Sequence, residues 1–108
     1  MGEVMSQLTR GMSRRVMYVE NKHGLIDGAE ARIGWVTFSK TGKTVYYRGR
    51  NLMMGSGISG NFIDEETREE YWVSGVKKRG SNAHPAGPSV KIEIDADAME
   101  AYRAIRGE

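Results

Sequence analysis

Apolar and polar residues alternate with a period of two along most of this chain, in short runs broken by glycine. That is the pattern of half-buried strands rather than of helices. Residues 15–20 (RVMYVE) form a β-branched and aromatic run, followed by a Gly/Asn/Asp-rich connection over 21–28. Residues 32–40 (RIGWVTFSK) predict a second strand, closed by a tight TGK turn in which Gly42 is free to take positive φ. Residues 43–53 (KTVYYRGRNLM) predict a third, with Gly49 as a bulge or point of close approach. Residues 60–64 (GNFID) and 70–77 (EYWVSGVK) flank a polar EETRE turn and predict a hairpin. A polar loop over 78–89 holds both prolines, and 90–95 (VKIEID) alternates again, with Val90, Ile92 and Ile94 facing inward.

The last element reads as a helix. Asp97 with Glu100 has capping-box spacing, and Asp95 is a rival N-cap. Met99, Tyr102 and Ile105 then form an apolar stripe that Gly107 ends. These elements predict a mainly β (α+β) fold: a small, strongly bent sheet or SH3-like, partly open barrel of about five to six antiparallel strands. The single C-terminal helix is expected to plug one end. Residues 1–14 lack a period and are expected to form a flexible tail, which leaves one domain over 15–108.

A length of 108 residues suits one domain with a real core. The chain has no cysteine, so a disulfide framework, a thiolate zinc site and a thiol nucleophile are all excluded. No stretch resembles a secretory signal or approaches the ~20 apolar residues of a membrane span. A cytoplasmic protein without a membrane partner is therefore expected. The formal net charge of +2 is unevenly spread: residues 1–50 carry +5 and residues 51–108 carry −3. Such asymmetry suits either a side that faces a polyanion or head-to-tail self-association.

Candidate chemistry is sparse. GSGISG at 55–60 has G-x-G-x-x-G spacing, but a dinucleotide site needs that loop to open a helix, and a strand is predicted to follow. His23 and His84 lie in polar loops without the further ligands that zinc needs. Glu65, Glu66, Glu69 and Glu70 read as a solvated hairpin tip. No catalytic residue, metal site or cofactor is expected. The third strand offers more. Strict alternation puts Val45 and Tyr47 on one face and Tyr46, Arg48 and Arg50 on the other, a strip that Lys77, Lys78 and Arg79 could extend. Aromatic rings beside guanidinium groups are what small β-barrels use on single-stranded nucleic acid. The expectation is a binding module for nucleic acid or another phosphate-bearing ligand. The alternative is a protein-interaction or self-assembling module with a protein partner or homo-oligomer, and a small enzyme ranks third.

The runs GWVTFSKTGKTVYYRGR and GNFIDEETREEYWVSGVKKRG, followed by a polar loop and a VKIEID strand, resemble a group of small uncharacterised bacterial proteins. The resemblance covers over half the chain and implies no particular ligand. Arg68 stands where that group has a glycine in the hairpin turn, and SNAHPAG at 81–87 departs from its mixed-charge loop. Some of its members carry a deoxyxylulose-phosphate synthase label. This chain lacks the GDG…N metal-binding motif and the alternating βα pattern of the large α/β domains in such enzymes, so that activity is not expected here.

Overall fold

The computed structural model describes residues 11–55, 60–78 and 90–107. Six strands follow one another as a meander: β1 (Ser13–Asn21), β2 (Ala31–Phe38), β3 (Thr44–Tyr47), β4 (Arg50–Met54), β5 (Asn61–Asp64) and β6 (Glu70–Gly75). Each pairs antiparallel with the next, and β6 returns to β1 through Met17 opposite Gly75 and Asn21 opposite Tyr71. The sheet is therefore a closed six-stranded antiparallel barrel, where the sequence pattern allowed a partly open one. A further strand, β7 (Ile92–Ile94), runs parallel to the first half of β2. A 3-10 turn (Ala96–Ala98) then leads into α1 (Met99–Arg106).

Alternation sorts the side chains into two cores. Met17, Val19, Val36, Val45, Tyr47, Leu52, Phe62, Tyr71 and Val73 point inward and fill the barrel with Ile26. Six strands leave an interior that side chains occupy fully, and each such aliphatic side chain contributes roughly 1.5–3 kcal/mol by its burial. The outward residues of β1 and β2 are apolar as well. Val16, Tyr18, Ala31 and Ile33 pack under Ala98, Ala101, Tyr102 and Ile105, with Ile92 and Ile94 alongside. The helix therefore lies on the outer wall over β1 and β2 rather than plugging an end. Trp35 Nε1 donates to the Asp97 carbonyl at 2.9 Å and pins the start of this layer. The apolar residues of β7 belong to this outer core, not to the interior.

Three further expectations change. Strand β1 begins at Ser13, two residues earlier than expected, so it takes in the end of the tail expected over 1–14, of which residues 1–10 lie outside the described residues. The run 43–53 is two strands, because Arg48 and Gly49 both hold positive φ, 47° and 79°, as a two-residue type I′ hairpin turn requires. Neither Asp97 nor Asp95 makes a side-chain cap to the helix, and the Asp95 carboxylate is engaged elsewhere. Gly107 ends the helix as expected, at φ 80° with its N–H on the Ala104 and Arg103 carbonyls.

Candidate functional site

Two tight hairpin turns meet at one end of the barrel. Residues 27–28 repeat the geometry of 48–49: Asp27 and Gly28 hold φ of 47° and 88°, between mutual backbone hydrogen bonds of Ile26 and Ala29. The Asp27 carboxylate clips the turns together. It accepts from Arg48 Nε at 2.6 Å and from both terminal nitrogens of Arg50, at 2.9 and 3.2 Å. Hydrogen bonds from Arg50 and then Arg48 hold the Asp27 carboxyl far below the ordinary carboxylate range. Both guanidiniums are pushed higher in turn by Asp27.

The clip continues inward. Arg50 Nε donates to the Tyr71 hydroxyl at 3.1 Å, and Asn21 Nδ2 reaches both that hydroxyl and Glu69. On the other side Arg48 lies 3.3 Å from Asp95, which Arg32 also meets at 3.1 Å. Asp95 enters where β2 changes neighbours, between the end of β7 and the short β2–β3 pairing. Its Oδ2 accepts from the Tyr47 hydroxyl at 2.5 Å. Gly34 makes this possible, since a Cβ there would stand 2.1 Å from that same oxygen. Burial, then the bond to Asp95, raises the Tyr47 phenol beyond its ordinary range, and burial raises Tyr71. Among the described residues no buried side-chain nitrogen or oxygen lacks a hydrogen-bond partner. The network ties the two turns, β6 and the end of β7 together at this end of the barrel.

The Tyr46/Arg48/Arg50 strip is therefore not formed. Tyr46 lies on the outer wall of β3 opposite Asn51, Arg48 sits in the turn, and Arg50 pairs opposite Tyr47 on the inner side. Both arginines are paired with Asp27, itself partly exposed, and Arg48 also with Asp95. Lys77 and Lys78 lie beyond β6 at the other end of the barrel, so they do not extend such a strip, and Arg79 lies outside the described residues. Gly55 and Gly60 flank the connection from β4 to β5, and a strand follows Gly60, so no helix N-terminus meets that glycine run. The stretch 56–59 and His84 lie outside the described residues. His23 is exposed and 3.7 Å from Glu70. Asp64 Oδ1 accepts from the Glu66 and Thr67 amides, so the acid-rich turn is built by its own carboxylate. Among the described residues no group of three or more His, Asp or Glu is placed to hold a metal.

What the fold brings together lies at the opposite end. There β1 begins, β2 turns into β3, β4 gives way to β5, and β6 ends. The described residues of these segments carry Arg14, Arg15, Lys40, Lys43, Lys77 and Lys78, and no Asp or Glu. Arg14 lies 4.4 Å above the Trp35 ring and Arg15 lies 5.8 Å from that of Phe38. Stacking orders these guanidiniums without consuming their N–H donors. Lys40 packs along Gly11, and Arg106 of α1 donates to the Lys77 carbonyl at 2.9 Å. The turns at the far end hold Asp27, Glu30, Asp64, Glu65, Glu66, Glu69 and Glu70 against four Lys or Arg. The barrel is thus electrically polar along its axis. Sequence order hid this, because the basic residues arrive two at a time from three segments far apart in the chain.

No protein-family model matches the chain, and no curated protein or solved structure matches it significantly. Among the described residues no helix is long and apolar enough to cross a membrane.

Proposed function

We propose that this protein is a non-enzymatic binding module that meets a nucleic acid, or another phosphate-bearing polyanion, with the basic end of its barrel. The observation that carries this reading is the group of Arg14, Arg15, Lys40, Lys43, Lys77 and Lys78 around one barrel end, in segments whose described residues include no Asp or Glu. Positive charges grouped within about one Debye length reinforce each other, and phosphate contacts release condensed counterions. Arg14 and Arg15 are already ordered on aromatic rings, which lowers the entropy lost when they grip phosphate. The polar network at the other end supports the same division of labour, since its arginines hold the fold. A cysteine-free chain suits a reducing, cytoplasmic setting.

The test is fluorescence anisotropy with labelled single-stranded RNA and DNA. With roughly four phosphate contacts, affinity should fall about 50-fold between about 50 and 200 mM salt. Lys77→Gln with Lys78→Gln should flatten the salt slope by about 1.4, two contacts' worth. Absence of binding at low salt, or binding indifferent both to salt and to the double substitution, overturns the reading.

A further inference from the structure

Successive residues of a strand point to opposite sides, and at the start of β1 both sides carry an arginine over an aromatic ring. Arg14 shares the outer side with Val16 and Tyr18, and its guanidinium lies 4.4 Å from the centre of the Trp35 ring. Arg15 shares the inner side with Met17 and Val19, at the mouth of the barrel, and lies 5.8 Å from the centre of the Phe38 ring. The strand register agrees, since Val16 stands opposite Trp35 and Ser13 opposite Phe38. Both rings are partly buried and held in place: Trp35 by its bond to the Asp97 carbonyl, Phe38 by packing on the inner core. Both arginines are exposed, and among the described residues neither guanidinium makes a hydrogen bond or an ion pair.

A grip on phosphate alone needs only charge, and a lysine supplies that as a point cation. An arginine laid over a ring offers more. One face of the guanidinium is against the ring, its N–H rim is open to phosphate, and its other face is free for a second flat π-system. The mouth also exposes apolar surface that phosphate has no use for. Met54 lies on the inner side of β4, opposite Phe62, and is 52% exposed. Exposed Lys43 stands across from it, its carbonyl accepting from the Met54 amide at 2.8 Å.

We propose that the basic end takes single-stranded nucleic acid by its unpaired bases, one lying on Arg14 at the outer wall and another on Arg15 at the mouth. The lysines and the guanidinium N–H groups hold the phosphates. This rests on the polyanion reading above and narrows it to one ligand class. The two platforms face opposite sides of β1, so bases laid on them are splayed across the rim of the barrel and no longer stack on each other. A duplex does not present its bases in this way, because they stay paired and stacked inside the helix. Every base has a π-face, so the contact tolerates sequence and selects for unpaired bases as such.

Fluorescence anisotropy of the full chain at low salt, with two labelled DNA probes of equal phosphate number, tests this. One probe is a mixed-sequence single strand, and the other is the same backbone with abasic sites in place of its bases. The base-bearing strand should bind about tenfold or more tighter than the abasic one. Arg14→Lys with Arg15→Lys, both at exposed positions, keeps the two charges and removes the two planes. That double variant should erase the difference between the probes while holding the abasic strand within about twofold of the parent's affinity. Equal binding of the two probes by the parent chain overturns this inference and leaves the polyanion reading standing. So does a double variant that preserves the difference, or that weakens both probes alike. Absence of binding to either probe overturns both readings.

Discussion

Asp27, Arg48 and Arg68 hold left-handed backbone without being glycine, at φ of 47°, 47° and 68°. That region costs an ordinary L-residue roughly 1–2 kcal/mol, and aspartate tolerates it better than arginine. At Asp27 and Arg48 the side chains repay the strain by joining each other. Arg68 has no such tie to the clip. It sits in the β5–β6 connection, where its amide donates to the Asp64 carbonyl at 2.8 Å. Arg68→Gly should therefore stabilise the protein, by about 0.5–1 kcal/mol after glycine's extra unfolded-state entropy. Urea unfolding checks this, and a less stable variant contradicts it. The same change at Arg48 should destabilise, since it removes the contacts to Asp27 and Asp95. Single residues of this kind were only partly legible. Gly34 looks ordinary inside GWV, yet its missing Cβ admits Asp95, a long-range fact with no local signature.

At the scale of elements, six strand runs and the helix could be read from period, β-branching and glycine punctuation, and one of those runs, 43–53, held two of the seven strands. Its misreading has a geometric cause. In a two-residue hairpin the residues that face each other are three apart, so Tyr47 and Arg50 share a side. Straight alternation, which counts in twos, puts Arg50 with Tyr46 instead. The DG at 27–28 was a turn signal; RG at 48–49 was not, because arginine rarely enters left-handed backbone. What holds the two turns together is Asp27, and that has a pH consequence. A carboxyl held well below its ordinary range contributes stability that is present above about pH 4, where the unfolded carboxyl is ionised, and lost as pH falls below it. Asp27 is partly exposed, so the effect is modest. Asp27→Asn should lower stability at neutral pH and flatten the acid limb of a stability–pH curve below about pH 4. An unchanged acid limb would show that the clip contributes nothing.

At the scale of the whole molecule, charge counted along the chain and charge arranged in space say different things. The excess in residues 1–50 suggested a basic half, and the closed meander converts it into a basic end. Three of the segments at that end add two cations each, while Arg48 and Arg50, the most conspicuous basic residues of the first half, go to the other end and are paired with Asp27. A meander alternates its turns between two ends, so only knowledge of strand order separates the two sets. The barrel interior is filled by side chains, which directs any ligand to the outside.

The measurement that bears most directly on this division is an amide NMR titration of the full chain with a short single-stranded oligonucleotide at low salt. The account predicts shifts that gather at residues 11–15, 39–44, 53–55 and 75–78, the segments of the basic end. Shifts that gather instead at 46–50 and 64–70, or no shifts at all, would contradict it.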